Sequence, residues 1–470
     1  KKDRSRKAPQ YDKRRGTRTE AADADADGEG VEKTPRLPKR LHALLIGYAG
    51  SGFNGMQIQP DVRTIEGEIF KALVNAGAVS KDNADDPVKV GLQRAARTDA
   101  GVHAAGNVVS IKMITAVPGV PDLLSRINDE LPPEIRVWDY VRVQNSFNAR
   151  TRKYTYFFPT YLLIPPKPGS GLYRSLKQSS STSGDDHPFW KDVAPDSSRE
   201  EDMQRKKKWR VGPEQLELLR NAARKYEGTH NFHNFTVGRE PKDRSCQRHM
   251  WSIEISDPVV YGDTEWLSVL LHGQSFMLHQ RKMISALVLS IRTGTPSSLI
   301  DELYQLRTVM IPKMPSLGLL LEHPIFSSYN ARMQEVNVNV ELTDPDYRPA
   351  IDFDIHAEKI KAFKEEYIYS RMRSSEERVQ VFDRWICSLD RYAGPDLLYL
   401  NPQGSIPDAA LVKKGKKRTN AFREWKKFDA TDFVSADGTT DPLAEEDADE
   451  IEEEEATECI SKKDLEEAEG

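Results

Sequence analysis

Cysteine is almost missing from this chain. Three occur in 470 residues, Cys246, Cys387 and Cys459, spaced too widely for a disulfide framework. A small secreted scaffold stapled by bridges is therefore excluded. Long hydrophobic runs are missing too: the longest, 283–291, is about half the length that crosses a bilayer. No signal-peptide pattern is visible, and the chain opens on Lys1 rather than Met, so residues missing from its start are expected. These absences predict a soluble, intracellular protein without a membrane partner. Its length suits two or three domain-sized units.

Charge is unevenly spread. The formal net charge is −5, yet residues 431–470 hold 17 acids against 2 bases, a balance of −15. The preceding 430 residues hold 66 bases against 56 acids, or +10. A basic body suits a polyanionic partner. The acidic tail reads either as a competitor for that basic surface or as solvated disorder that aids solubility.

Composition and periodicity divide the chain. Residues 1–40 are charged and nearly free of large apolar groups, so a disordered basic tail is expected. Residues 41–160 read as a first α/β half. It has a strand over 41–48, a helix over 65–76, strands flanking 94–107, a helix over 121–130 with Pro at its first turn, and strands over 135–143 and 153–159. Residues 161–212 are rich in Pro, Ser, Asp and Lys and read as a polar insertion loop. A second half, 213–350, holds a helix over 213–226, strands over 249–256 and 266–272, and a long helix over 276–292 stopped by Gly294. A helical extension is expected over 351–395, then a disordered tail over 396–470, first basic and then acidic. Lys13-Arg14-Arg15 and the KKGKKR run at 413–418 read equally as nuclear-import or phosphate-binding clusters and as solvated tethers.

The most informative run is RAARTDAGVHAAGN, 94–107. Before it, VKVGLQ (88–93) alternates like a half-buried strand, and NVVSIKM (107–113) resumes the pattern. Asp99 is thus expected at the lip of a sheet, with Gly101 and Gly106 letting the backbone bend. An aspartate in such a turn most commonly bonds its own backbone.

The run resembles the catalytic box of the TruA-type tRNA pseudouridine synthases, and its longer form resembles the eukaryotic multisite branch. Further segments resemble that branch in the same order: YAGSGFNGMQIQPDVRTIEGEIF (48–70), RKYTYFFPT (152–160), GTHNFHNFTVG (228–238), SFMLHQRKMIS (275–285) and GLLLEHPIFSSYN (318–330). Ordered motifs over roughly 40–390 are far more specific than one short pattern. The resemblance implies an α+β fold: two α/β subdomains whose antiparallel-rich sheets join beside a basic RNA-binding cleft, plus a C-terminal helical extension. It implies an isomerase that converts uridine to pseudouridine at several tRNA positions, with snRNA and mRNA as further candidate substrates. A monomer in the nucleus is expected, with mitochondrion and cytoplasm as further compartments.

The reaction cuts a base–sugar N–C bond and rejoins the base through carbon. Nothing is oxidised, so no nucleotide cofactor or metal is chemically required. What it needs is a nucleophile or base near the sugar or uracil, held ionised in a dry pocket, and Asp99 fits if a cation offsets its burial. Arg281, expected on the long helix, is the natural partner, and the resemblance implies the same pairing. A purely structural ion pair is the alternative. The branch carries an apolar residue between the Gln and Arg of this motif, whereas here Gln280 abuts Arg281, a change that would turn a helix by about 100°. By its match to the family motif, Tyr154 stacks on the extruded base, while Tyr156 reads as core. Arg97 shares a face with Asp99 on an extended backbone and reads as a phosphate contact or wedge. His103 is expected to contact RNA, and the resemblance makes Leu319 the apolar wall of the uracil pocket. His230, His233, Cys246 and His249 form an H-x2-H…C-x2-H pattern, which leaves zinc as a minor structural possibility. The alternative readings of function are an inactive RNA-binding or tRNA-folding protein of the same fold, and a scaffold whose acidic tail recruits basic partners.

Overall fold

The computed structural model describes residues 37–143, 149–179 and 187–413. The strands, in chain order, are β1 (Arg40–Tyr48), β2 (Gln93–Arg94), β3 (His103–Met113), β4 (Ile135–Arg142), β5 (Thr151–Pro159), β6 (Gly228–Asn231), β7 (Gln247–Ile255), β8 (Val259–Tyr261), β9 (Thr264–Gly273) and β10 (Leu319–Ile325). The helices are α1 (Ile65–Asn75), α2 (Leu123–Glu130), α3 (Gly171–Ser179), α4 (Arg199–Lys208), α5 (Pro213–Ala223), α6 (Lys282–Thr293), α7 (Ser298–Glu302), α8 (Ser327–Val336), α9 (Ala357–Phe363), α10 (Ser370–Val379) and α11 (Val381–Arg391). A π-helical segment, Lys364–Tyr369, joins α9 to α10.

All strands belong to one sheet, ordered β4-β1-β3-β10-β5-β9-β7-β6, with β2 on β3 and β8 on β9. Every pairing is antiparallel except β3 with β10, which share only the pairs His103–Leu320 and Ala104–Leu321. This short parallel contact is the seam between the halves, and the α+β sheet expected from the resemblance is present. The halves divide differently from the chain order, however. β5 precedes the insertion in sequence, yet it lies between β10 and β9, inside the second half.

Local chemistry explains the elements nearest the site. β1 is a continuous apolar run and is buried from Ala43 to Tyr48, as a central strand covered on both faces requires. α1 starts where the Thr64 hydroxyl accepts the Gly67 amide, has Glu66 and Glu68 in its first turn, and buries Ile65, Ile69 and Leu73 on one stripe. The expected strand over 88–93 is mostly a 3-10 turn, Pro87–Val90, capped by Asp86 and ended by Gly91 at φ +64°. A proline, a capping aspartate and a left-handed glycine outweigh the alternating pattern there. The helix expected from Pro121 begins at Leu123, because the Asp122 carboxylate caps it and leaves Pro121 outside.

Two segments are more ordered than composition suggests. Within 161–212, Tyr161, Leu162, Leu163 and Ile164 are at most 2% exposed, and the Trp190 indole donates to the Pro165 carbonyl. A full capping box of Ser198 and Glu201 starts α4. Averaging over many polar residues hides these few anchors; residues 180–186 lie outside the described part. Residues 396–413 also fold, burying Leu397, Tyr399, Leu400 and Ile406 and joining Leu411 to Val309 in a β-bridge. The remaining tail expectations, 1–36 and 414–470, together with Lys13-Arg14-Arg15 and most of the 413–418 cluster, lie outside the described residues. The expected extension is helical and clasps the sheet: Phe363 packs on Trp138, Tyr369 on Phe157, and Arg371 pairs with Glu134.

Candidate active site

Asp99 occupies the loop between β2 and β3, four residues before the seam. Several bonds hold that loop from behind. Glu66, fully buried on α1, takes the Arg94 guanidinium through both oxygens and also the Ile58 amide. The buried Thr98 hydroxyl meets the Tyr48 hydroxyl at 2.8 Å, and Asn107 donates to the Ala96 carbonyl at 2.9 Å. From β5, Arg152 donates to the Ala95 carbonyl at 2.8 Å. Gly101 turns the chain at φ +75°. Gly106 lies where β3 carries one more residue than β1, an irregularity that bends a strand, and a Cβ there would lie 2.8 Å from the Glu322 carbonyl of β10, so it also permits close approach at the seam.

The Asp99 side chain is one-third exposed, whereas its partner Arg281 is 3% exposed. Arg281 donates from a terminal nitrogen to Asp99 Oδ2 at 3.1 Å and from Nε to the Met314 carbonyl at 2.7 Å. His279 Nδ1 stands 3.4 Å from the same oxygen. Both contacts fall on Oδ2; Oδ1 accepts no hydrogen bond from the described residues. Burial alone would raise the Asp99 pKa. His279, Arg281 and the charge of Lys313 outweigh it and hold the carboxyl well below the usual range. His279 itself is pushed down to about 3, first by burial and then by Lys313, so its imidazole is neutral at physiological pH. Asp99 is thus a fixed anion with one oxygen bare.

Arg281 is not on the helix. α6 begins at Lys282, and Arg281 is its cap residue, preceded by a turn over 278–281 in which His279 adopts φ +59°. The juxtaposition of Gln280 and Arg281 therefore falls in a turn, where backbone torsions absorb a one-residue difference without rotating the helix face. Gln280 closes that turn by accepting the Met277 amide at 2.6 Å.

Tyr154 lies on β5, 9% exposed, with its ring edge against Phe276 at 4.7 Å between centroids. Its pKa is pushed up to about 12, mainly by burial and further by Asp99, so the phenol stays protonated. Tyr156 is fully buried and donates to the Pro315 carbonyl, the core role expected of it. Leu319 is half-buried and pairs with Tyr156, while Leu321 pairs with Tyr154; all four side chains share one face. Arg97 is exposed at the lip of the loop. His103 corrects an expectation. It is 0% exposed, accepts the Gly50 amide at 3.2 Å, and has its pKa lowered to about 4 by burial and then by Arg371. It is buried behind the Asp99 loop, where its ring takes the Gly50 amide, and it presents no surface to RNA.

The zinc-like pattern disperses. His230 bonds the Glu227 carbonyl and stacks on Tyr304, His233 bonds the Arg307 carbonyl, and His249 bonds Thr229. Among the described residues no group of three or more His, Cys, Asp or Glu side chains is placed to hold a metal.

Two contributors escaped the sequence reading. His279 was hidden by the helix expectation, since two positions apart on a helix are about 200° apart and cannot serve one ligand. Lys313, in IPKMPSLG, carries no local pattern; only the tertiary fold brings its charge to Asp99.

A family described as tRNA pseudouridine synthase matches residues 222–327, a stretch that contains Arg281 and Leu319. The chain is 37% identical to tRNA pseudouridine synthase 1 of Yarrowia lipolytica, over 86% of this chain and 85% of that protein. It is 40% identical to tRNA pseudouridine synthase 1 of Candida glabrata, over 78% of this chain and 74% of that one. It is also 34% identical to tRNA pseudouridine(27/28) synthase of Saccharomyces cerevisiae, covering 75% of this chain and all of that protein. Likeness at more than 30% identity over more than two thirds of the chain shows that it belongs to the tRNA pseudouridine synthase family.

Proposed function

We propose that this protein isomerises uridine to pseudouridine in tRNA, with Asp99 as the catalytic carboxylate. The observation that carries the reading is the bare Oδ1 of an anion pinned through its other oxygen. In the reaction the N1–C1′ bond breaks, the uracil turns, and C5–C1′ forms; the proton on C5 leaves and N1 gains one. Asp99 supplies fixed negative charge at the anomeric carbon while the base is detached. Arg281 holds that charge in place, in a setting where electrostatic terms are larger than in water. Tyr154 and Leu319 line the space in which the uracil stacks, and Arg97 contacts phosphate or fills the gap in the strand. No redox step occurs, so this chemistry calls for neither a nucleotide cofactor nor a metal.

A uridine within a stem must be extruded before it can reach a carboxylate that is only one-third exposed. Action at several tRNA positions, and on snRNA or mRNA, follows from reading the local shape around an extruded base more than its sequence. An inactive RNA-binding relative has less support, because Asp99, Arg281 and Tyr154 keep a working geometry together.

The test is release of tritium from a tRNA transcript made with 5-tritiated uridine, since H5 is lost when carbon replaces nitrogen. The wild-type protein should release it. Asp99→Ala should release none while still retarding tRNA in a binding assay; release by that variant would reject the assignment of Asp99.

A further inference from the structure

We propose that Trp251, together with His249 and His272, forms a stacking platform for an unpaired base of the RNA substrate, on the opposite side of the sheet from Tyr154. The inference extends the functional reading above to a second contact with RNA.

The platform is made by an irregularity in β7. The register against β9 shifts between Met250 and Ser252, so Trp251 is the extra residue of a bulge, a device that re-aims a side chain. Trp251 is left 45% exposed, the only tryptophan among the exposed large apolar side chains of the described residues. Core packing does not account for that, because an indole half in water forgoes much of the area it could bury. Its neighbours are flat rings held in place. His249 stands edge-on at 5.3 Å, anchored to the Thr229 hydroxyl at 2.8 Å. His272 lies tilted at 5.1 Å, with Nε2 3.2 Å from the Thr151 hydroxyl.

Charge and continuity identify the occupant. Lys153 pairs in register with both His272 and His323, which sets a cation beside the rings for a phosphate. The nearest acid on the strand, Glu254, is on the same face, three residues beyond Trp251 toward Ile255; it accepts the Ser252 hydroxyl and its charge reaches His272, opposite in sign to that of Lys153. The His249 carbonyl accepts the Gln274 amide at 2.9 Å, and two residues later Phe276 packs on Tyr154. Lys153 and Tyr154 are consecutive residues of β5, so their side chains leave opposite faces at one level. A strand of RNA crossing this end of the sheet meets Tyr154 on one side and the platform on the other. Exposed rings beside cations on a sheet are the means by which proteins hold splayed bases, with little sequence preference.

The test uses the full chain, a fluorescein-labelled oligouridine and a tRNA transcript. Trp251→Ala should weaken binding of both about tenfold and raise KM, with kcat and melting temperature unchanged; Trp251→Phe should restore most of the affinity. Unchanged affinity in Trp251→Ala overturns the platform, as does a Trp251→Phe variant as impaired as Trp251→Ala. Should the alanine variant fold poorly, ultraviolet cross-linking of a 5-bromouridine oligonucleotide to the wild type decides: adducts at Trp251 support the proposal and adducts confined elsewhere reject it. Wild-type protein that modifies no tRNA would instead reject the functional reading, while oligouridine binding would still report on Trp251.

Discussion

The seam that holds Asp99 and the junction between the insertion and the C-terminal helices both set an aspartate against cations, and they hold it differently. At the junction Asp383 is fully buried; one oxygen takes Lys206 at 2.7 Å and the other takes Arg199 at 2.8 Å. Arg199 also bonds Gln380, so the network is closed upon itself. At the seam, Arg281 and His279 both approach Oδ2 of Asp99, and the side chain keeps a third of its surface. Burial raises both carboxyls and the neighbouring hydrogen-bond donors and cations more than reverse it, so both are held low. The charge state is alike in the two places. What separates a structural aspartate from a reactive one here is whether the second oxygen is occupied.

The largest effect should come from removing that charge without changing shape. Asp99→Asn keeps the volume and should lower the rate of pseudouridine formation roughly a thousandfold or more, with tRNA affinity within about twofold of wild type. Single-turnover kinetics beside a binding titration would show it. Equal losses in rate and affinity would mean that Asp99 binds RNA and does not drive chemistry.

At the junction the expected response is the reverse. Asp383→Ala leaves Arg199 and Lys206 facing an uncompensated void and should cost about 3–5 kcal/mol of stability. Its kcat should equal that of the wild type at a temperature where the variant is folded. Urea unfolding checks the first statement and a rate assay the second; a drop in kcat with full folding would show the two regions to be coupled.

A smaller effect is expected of Arg281→Lys. The lysine keeps the charge but cannot serve the Met314 carbonyl and Asp99 from one planar group. Activity should fall about ten- to a hundredfold. The Asp99 carboxyl is held low partly by the charge of Arg281, which the lysine keeps, so its pKa should stay low there; in Arg281→Gln it should rise, and the acid limb of the pH–rate profile should move to higher pH. A profile unmoved in Arg281→Gln would assign that work to His279 and Lys313 instead.

Much of this contrast was legible in the sequence, though unevenly. Asp99, Tyr154 and the seam strand GLLLE sit in local patterns, where a turn flanked by strands and an alternating Tyr-Thr-Tyr fix which side chains share a face. Arg281 was legible as the partner but not in its setting. Apolar Phe276, Met277 and Leu278 lie shortly before the run at 283–291, so the pattern reads as a helix through the polar residues 279–282, whereas the first part is a turn with His279 at φ +59°. Lys313 and the junction were invisible for a different reason. Arg199 and Asp383 are 184 positions apart, and the pairing depends on how α4 lands on α11. Composition went furthest astray in 161–212, where Tyr161, Trp190 and Met203 anchor a chain whose average polarity suggested a loop.

The smallest predicted effect is a slope. Glu376, buried on α10, accepts the Tyr161 hydroxyl and, at 2.9 Å, the Phe382 amide, and burial pushes its pKa from 4.5 to about 7. A carboxyl raised on folding binds a proton in the folded chain that the unfolded chain has already released. Across the window from 4.5 to about 7, then, stability falls as pH rises, and the full cost is in place above it. Asp383 behaves oppositely: its carboxyl is lowered on folding, so its contribution is present at neutral pH and is lost only toward acid. Glu376→Gln cannot ionise but still offers an oxygen to Tyr161, so it should remove the Glu376 slope and leave the Asp383 one. Melting temperatures of wild type and variant, taken across that window, should converge at acid pH and separate above neutrality, the wild type being lower. Curves that stay parallel would mean that water reaches Glu376 and that the junction is less sealed than the one around Asp383.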